Sequence, residues 1–255
     1  MNLQEQLGQF KGKTGFYYKN LVTKETICYH EYEAFQAASV IKIPVMIELF
    51  RRFEEGTLSK TDTLKVREED KLPSCGALSY LHEGIEVTLL DLCTLMIILS
   101  DNTATNLLIR LLGMKEINQT LSSLSCKVTR LNRLLFEREL SRQGIQNYVA
   151  PAEIGYLLEL MYQKELISAS ASEEMIAILK NQQLNGKIPF FCTDSTEIAH
   201  KTGEDDGITH DVGIVFTKKP FIIAFCSEDV DVPSFERRIQ EISFELMQRN
   251  GLNLR

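Results

Sequence analysis

The sequence predicts an α+β protein in which an antiparallel five-stranded sheet, flanked by N- and C-terminal helices, joins an all-helical domain. Strand-like alternation occurs near the start of the chain, in residues 15–31, and returns after residue 195. Helical periodicity fills the region between them, and an amphipathic pattern over 233–249 predicts a last helix. One sheet built from both ends of the chain, with the helices inserted, is the simplest arrangement of these patterns.

The individual elements follow from local signals. Residues 2–10 predict a short helix, and the hairpin of 15–31 turns at Thr23-Lys24-Glu25. Helix formers and apolar positions from Ser39 to Phe53 predict a long helix that Gly56 ends. Thr88-x-x-Asp91 resembles a capping box that starts an apolar helix. Further helices are predicted at 102–112, 114–124, 151–164 and 172–183, an irregular polar segment at 126–148, and strands at 197–201, 211–217 and 221–226.

These elements divide the chain into two expected domains. Residues 1–40 and 190–255 would form a discontinuous sheet domain, and residues 41–189 an all-helical domain. Ligand sites tend to lie in clefts between such units. We therefore expect the active site to lie between the two domains.

Composition excludes several classes of function. The 255 residues carry a net charge of −7, and lysine and arginine are dispersed, so a nucleic-acid partner is not expected. The apolar runs are too short to span a bilayer. The six cysteines include no C-x-x-C pair and no zinc-type spacing, so neither a metal nor a cofactor is expected. We expect a monomer that acts on a small molecule.

The N-terminal residues bear on the compartment. The segment MNLQEQLGQF has neither the basic region nor the apolar region of a secretory signal. The sequence as written therefore predicts a cytoplasmic protein with reduced thiols. A secreted form whose leader has been removed stays open as the alternative.

Three short motifs carry the chemistry. Ser39-Val40-Ile41-Lys42 opens the first long helix, Ser100-Asp101-Asn102 lies between two helices, and Lys201-Thr202-Gly203 ends a strand. Each motif alone is common, since Ser-Asp-Asn is an ordinary helix cap and S-x-x-K occurs by chance in chains of this length. Their conjunction, in this order and on these elements, resembles the class A β-lactamase and penicillin-binding family.

The resemblance extends over roughly residues 35–250. The stretch TLMIILSDNTATNLLIRLLG is similar to the central helix pair of that family, and HKTGEDDGITHDVGIVF to its last strands. The resemblance implies a β-lactamase/transpeptidase-like fold and an acyl-enzyme on Ser39. It also implies that Asn102, Thr202, Gly203 and Glu204 bind the substrate.

Elementary chemistry supports these roles. A serine hydroxyl needs a base, and Lys42 lies on the same helical face as Ser39 at the i+3 position. Apolar neighbours can lower the pKa of Lys42 enough for it to act as that base. The backbone N–H groups of Ser39 and Glu204 are the expected oxyanion donors. Ser100 can relay a proton between Lys201 and the leaving nitrogen.

The sequence departs from the family in two places. Class A β-lactamases carry a deacylating glutamate after an R-L-x-R segment, but Leu135 stands at the aligned position. Glu137 and Glu139 are near, and we take Glu137 as the better candidate, although a solvated loop charge is an equally good interpretation. The second departure is the Glu204-Asp205-Asp206 run, which lacks a nearby arginine; His210 is the only added cation candidate, and more simply lines a strand.

Three functions remain open at this stage. The first is a β-lactamase, with slow deacylation expected from the missing glutamate. The second is an esterase, amidase or peptidase acting on a small acyl substrate. The third is a penicillin-binding sensor module that is acylated once and does not turn over.

Overall fold

The computed structural model describes residues 3–192 and 196–252. Residues 1–2, 193–195 and 253–255 of the predicted sheet domain lie outside this part of the chain. In chain order the helices and strands are α1 (Leu3–Gly8), β1 (Lys13–Asn20), β2 (Thr26–Tyr29), β3 (Phe35–Gln36), α2 (Lys42–Glu54), β4 (Thr63–Lys65), β5 (Glu86–Thr88), α3 (Leu89–Ile98), α4 (Asn102–Leu112), α5 (Met114–Ser123), α6 (Arg138–Arg142), β6 (Tyr148–Val149), α7 (Pro151–Tyr162), α8 (Ala169–Lys180), β7 (Ile198–Asp205), β8 (Ile208–Val215), β9 (Phe221–Glu228) and α9 (Val232–Arg249).

The main sheet confirms the predicted fold class. It has five strands in the order β2-β1-β9-β8-β7, and every neighbouring pair is antiparallel. The register joins the two ends of the chain, since Phe16 of β1 lies opposite Phe225 of β9. Strand β7 lies at one edge of the sheet. The Lys-Thr-Gly motif therefore has a sheet partner on one side only.

Two apolar layers cover the faces of the sheet. On one face, α1 and α9 pack over a core that includes Leu7, Phe16, Phe225 and Phe235. The opposite face joins the larger core, to which helices α2, α3, α4, α5, α7 and α8 contribute. Helix α2 lies at the centre of that core, because every residue from 42 to 50 is buried. The division into two domains stays a prediction.

The structure corrects some details of the sequence prediction. The long helix does not begin at Ser39: a 3₁₀ turn over Ala38–Ile41 comes first, and α2 begins at Lys42. The segment 126–148 is not wholly irregular, because it contains α6 and the start of β6. Strand β6 pairs with β3, with Phe35 opposite Val149. This pairing holds the end of the segment next to the turn that carries Ser39.

No helix in the described part of the chain is both long and apolar enough to cross a membrane. All six cysteines lie among the described residues, and each is a free thiol.

Candidate active site

Ser39 lies at the mouth of the site in a tight turn. The 3₁₀ turn Ala38–Ile41 precedes α2, and its first residue has the left-handed backbone angle φ of +41°. Such a conformation costs a non-glycine residue energy and is often found at functional sites. Ser39 is half-buried and lines an open cavity, so its hydroxyl is accessible while the helix behind it is not.

Lys42 lies directly beneath Ser39 and is fully buried. Its Nζ lies 2.8 Å from Ser39 Oγ, 2.9 Å from Ser100 Oγ and 2.9 Å from Asn102 Oδ1. Burial, followed by the positive charge of Lys201, lowers the pKa of Lys42 well below the ordinary lysine value. A neutral amine held against a serine hydroxyl can accept its proton.

Ser100 connects the two lysines of the site. Lys201 Nζ donates to Ser100 Oγ over 3.1 Å and to the carbonyl of Thr202 over 2.9 Å. Burial lowers the pKa of Lys201 to about 7, although the negative charge of Asp211 opposes this shift. Ser100 itself has φ of +54°, which again places a strained residue at a reacting position. The hydroxyl of Ser100 is therefore held between two amines.

Asp101 fixes the turn that presents Ser100 and Asn102. Its carboxylate caps α4 by accepting from the backbone N–H of Ala104, and it also accepts from Ala77 and Leu78. The neighbouring Gly76 has φ of +113°, and a Cβ there would lie 2.3 Å from the Asp101 carboxylate. The aspartate is thus a structural group rather than a reacting one.

The edge strand β7 forms the other wall. Gly203 lies between His210 and Val40, and a Cβ added to it would approach Val40 Cγ2 to 3.2 Å. Thr202 is buried, whereas Glu204 is exposed at the rim of the cavity. The small glycine allows the end of β7 to approach the turn that carries Ser39.

Two side chains near β7, His210 and Lys187, bear on whether this region holds a cation. His210 is buried in β8, where its Nε2 lies 2.8 Å from the carbonyl of Gln36, and burial lowers its pKa to about 4. It is therefore neutral and lines a strand. The cation at this edge is Lys187, which is buried and donates to Glu204 Oε1 over 2.8 Å. No local pattern in the sequence marks Lys187.

The loop between α5 and β6 closes the cavity opposite β7. Leu135 lines the cavity together with Ser39, and Asn106 holds its backbone through hydrogen bonds of 2.9 and 3.0 Å. Glu137 also lines the cavity, but its Oε2 accepts from the backbone N–H of Leu134 at 2.8 Å. Glu139 is exposed and does not line it. The apolar Leu135 is thus fixed in the wall of the cavity that Ser39 also lines.

The predicted residues therefore fall into two groups. Ser39, Lys42, Ser100, Asn102 and Lys201 form one hydrogen-bonded cluster. Glu137 and Glu204 line the adjoining cavity of about 600 Å³, whereas the buried Thr202 and Gly203 do not line it. Within residues 3–192 and 196–252, no group of three or more His, Cys, Asp or Glu side chains could hold a metal ion.

The fold and this cluster define a serine hydrolase of the type that uses a lysine next to its nucleophile. The model of the β-lactamase enzyme family matches residues 2–249, and the chain belongs to that family.

Relatives and solved structures agree with this assignment. A β-lactamase from Rhodobacter capsulatus is 27% identical over 188 residues, which are 73% of this chain and 63% of that protein. The crystal structure of a β-lactamase from Sphaerobacter thermophilus DSM 20745 is similar with a TM-score of 0.89 and 30% identity, covering 99% of this chain and 95% of that one. The structure of PBP-A has a TM-score of 0.88 and 25% identity, covering 96% and 93%. PBP-A is also known as an L158E mutant in an acyl-enzyme complex with penicillin G.

Proposed function

We propose that this chain is a serine hydrolase that opens β-lactams by forming an acyl-enzyme on Ser39. The observation that carries the proposal is the 2.8 Å contact between Ser39 Oγ and Lys42 Nζ, made by a lysine that is fully buried. The named relatives are β-lactamases, which supports a β-lactam substrate. All the proposed residues belong to one chain, so a monomer suffices.

Acylation follows from the hydrogen-bond cluster. Lys42 accepts the proton of Ser39, and Ser39 Oγ attacks the lactam carbonyl. As the carbon–nitrogen bond of the ring breaks, Ser100 donates its proton to the leaving nitrogen and receives one from Lys201. Ser100 Oγ lies within 3.1 Å of both amines, so each transfer needs only a short movement.

Developing charge on the carbonyl oxygen needs donors that are already in place. The backbone N–H groups of Ser39 and Glu204 are the proposed donors. Strand β7 is the edge of the sheet and lies next to the 3₁₀ turn of Ser39, with Gly203 in contact distance of Val40. Donors fixed in this way stabilise the oxyanion without reorganising during the reaction.

Deacylation is the step that this chain is less well equipped to perform. Hydrolysis of the acyl-enzyme requires a water molecule and a carboxylate within hydrogen-bond reach of it. Leu135 supplies no carboxylate, and that of Glu137 already accepts a backbone hydrogen bond. We therefore propose slow turnover, with Glu137 as the source of residual deacylation.

The same observation favours a second candidate function. A penicillin-binding sensor would use the acylation machinery and would gain from a long-lived acyl-enzyme. The lifetime of the adduct separates the two functions. A sensor must remain acylated for as long as it signals, whereas a β-lactamase must release the product. An esterase that acts on small acyl substrates is the third candidate function.

Mass spectrometry of the intact protein tests the proposal. After mixing with benzylpenicillin or with p-nitrophenyl acetate, the wild type should gain the mass of the acyl group on Ser39. Ser39→Ala should give no adduct, whereas the matched control Ser122→Ala, an exposed serine of α5, should react like the wild type. An adduct on Ser39→Ala at the wild-type level would refute Ser39 as the nucleophile, and reaction with the ester alone would favour the esterase.

A further inference from the structure

The cavity beside Ser39 extends away from the lysine pair. Ser100 donates to the leaving nitrogen in the proposed reaction, so the leaving group lies on the side of Ser100. The acyl substituent then points to the other side, where the cavity is walled by the loop around residues 133–147. The charges of this wall consequently meet the acyl group and not the leaving group.

Three arginines line this wall: Arg133, Arg138 and Arg142. The Arg133 guanidinium donates only to neutral acceptors, which are two backbone carbonyls and the side chain of Gln146. Burial lowers the pKa of Arg133, although nearby carboxylates oppose the shift. Arg138 and Arg142 are exposed, and within the described residues neither side chain has a hydrogen bond or an ion pair.

Three carboxylates line the same cavity, those of Glu137, Glu204 and Asp205, and only that of Glu204 is paired with a cation. Glu204 is paired with the buried Lys187, and Glu137 accepts from the backbone of Leu134. Asp205 forms no ion pair within the described chain, and its Oδ1 accepts from its neighbour's backbone N–H. Within the described residues the three arginines thus face two carboxylates that have no paired cation, Glu137 and Asp205, so the wall keeps a net positive charge. This excess is local, because the whole chain carries a net charge of −7.

We propose that this arginine wall selects acyl groups that carry a carboxylate. The inference rests on the proposed acylation of Ser39 and adds a substrate class to it. The guanidinium groups of Arg138 and Arg142 have free donors in the geometry that a carboxylate accepts. Being exposed, each contributes modestly and in a salt-dependent manner.

Three penicillins test the proposal, since they share a nucleus and a phenyl ring. Benzylpenicillin is neutral at the α-carbon of the acyl group, carbenicillin carries a carboxylate there, and ampicillin an ammonium group. The measured quantity is the second-order rate constant for acylation of Ser39, by quenched-flow mass spectrometry. At low salt we expect carbenicillin to react about fivefold faster than benzylpenicillin and ampicillin to be the slowest. Raising the ionic strength should reduce the preference.

Two double variants test whether the arginines of the cavity cause the preference for carbenicillin. Arg138→Gln/Arg142→Gln should bring the carbenicillin-to-benzylpenicillin ratio to about 1 while leaving benzylpenicillin acylation within about twofold. Arg67→Gln/Arg237→Gln removes the same charge from exposed arginines outside the cavity and should keep the wild-type ratio. A wild-type ratio of 1 or less, or a ratio that the cavity double variant does not change, would overturn the inference while the proposed function stands. Failure of all three penicillins to acylate Ser39 would overturn both.

Discussion

Lys42 and Lys201 both hydrogen-bond one hydroxyl group, with Nζ atoms 2.9 and 3.1 Å from Ser100 Oγ. Two buried ammonium groups this close would repel each other, and the pKa of each amine is lowered. Burial is the largest cause of the lowered pKa of Lys42, and the charge of Lys201 acts in the same direction, while that of Asp101 opposes it. The lowered pKa of Lys42 favours its neutral form next to Ser39, and the proposed mechanism uses the protonated form of Lys201 next to the leaving group.

Replacing Lys42 tests the base. Lys42→Ala should lower the acylation rate about 10²–10⁴-fold, since that is the usual cost of losing a general base. The exposed Lys115 of α5 offers a matched control, because Lys115→Ala removes an equal charge outside the site. Stopped-flow acylation by a chromogenic cephalosporin measures both variants. A loss of less than about threefold in Lys42→Ala would mean that another group takes the proton.

The alkaline limb of the pH profile reports Lys201. In the proposed mechanism its protonated form is active, and its pKa is about 7, so acylation should fall as the pH rises through 7. The negative charge of Asp211 raises that pKa. Asp211→Asn should therefore lower the pKa of Lys201 and move the alkaline limb to lower pH.

Acylation rates from pH 5 to 9 measure this shift. A variant that merely loosened the fold would lower the rate at every pH and leave the limb in place. Asp205→Asn, which removes a carboxylate from the exposed rim, serves as the control and should leave the limb where it is. An unmoved limb in Asp211→Asn would show that another group sets it.

Local patterns predicted the reacting cluster because two of the motifs lie at the start of a helix and the third lies on a strand, although it lies within β7 and not at its end. Ser39, Ser100 and Lys201 lie at a turn before a helix, at a loop before a helix and on a strand, and the chain order of these elements sufficed to bring them together. The left-handed conformations at Ala38 and Ser100 could not be predicted, since neither residue type favours them. They follow from the packing of the whole site.

The residues that the sequence did not reveal are held by tertiary contacts. Lys187 reaches Glu204 from a segment without regular structure, and Arg133 reaches the cavity because the pairing of β3 with β6 positions its loop. His210 could carry a positive charge only if its ring were solvated. Its ring is buried in β8, and that burial results from the folding of the sheet. Residue type and spacing carry no information about such burial.

Asp101 should contribute strongly to stability without taking part in the chemistry. Its carboxylate is buried and accepts three backbone hydrogen bonds, including the cap of α4. Asp101→Ala leaves these donors unpaired and should lower the free energy of unfolding by about 3 kcal/mol. Asp91→Ala, at the exposed first turn of α3, should cost about 0.5 kcal/mol. Urea unfolding followed by circular dichroism measures both, and equal losses would contradict the structural role.

The lifetime of the acyl-enzyme should depend on residue 135. Asn106 holds the backbone of Leu135 on both sides, and the side chain lines the cavity together with Ser39. A glutamate at this position would place a carboxylate next to the cavity without moving the loop. The apolar neighbours Leu134 and Phe136 would raise its pKa towards the range in which it can act as a base.

Leu135→Glu should therefore accelerate deacylation of the benzylpenicillin adduct by at least about tenfold, since general bases contribute about 10²–10⁴-fold. Leu135→Gln introduces a side chain of the same size as glutamate but without a basic carboxylate. It is the matched control and should deacylate like the wild type.

Glu137→Gln should slow the residual wild-type deacylation, whereas Glu139→Gln should not, because of these two residues only Glu137 lines the cavity. The decay of the adduct in the mass spectrum measures each rate. Rapid turnover by the wild type that is unchanged in Glu137→Gln and Glu139→Gln would refute the slow step and both candidate residues.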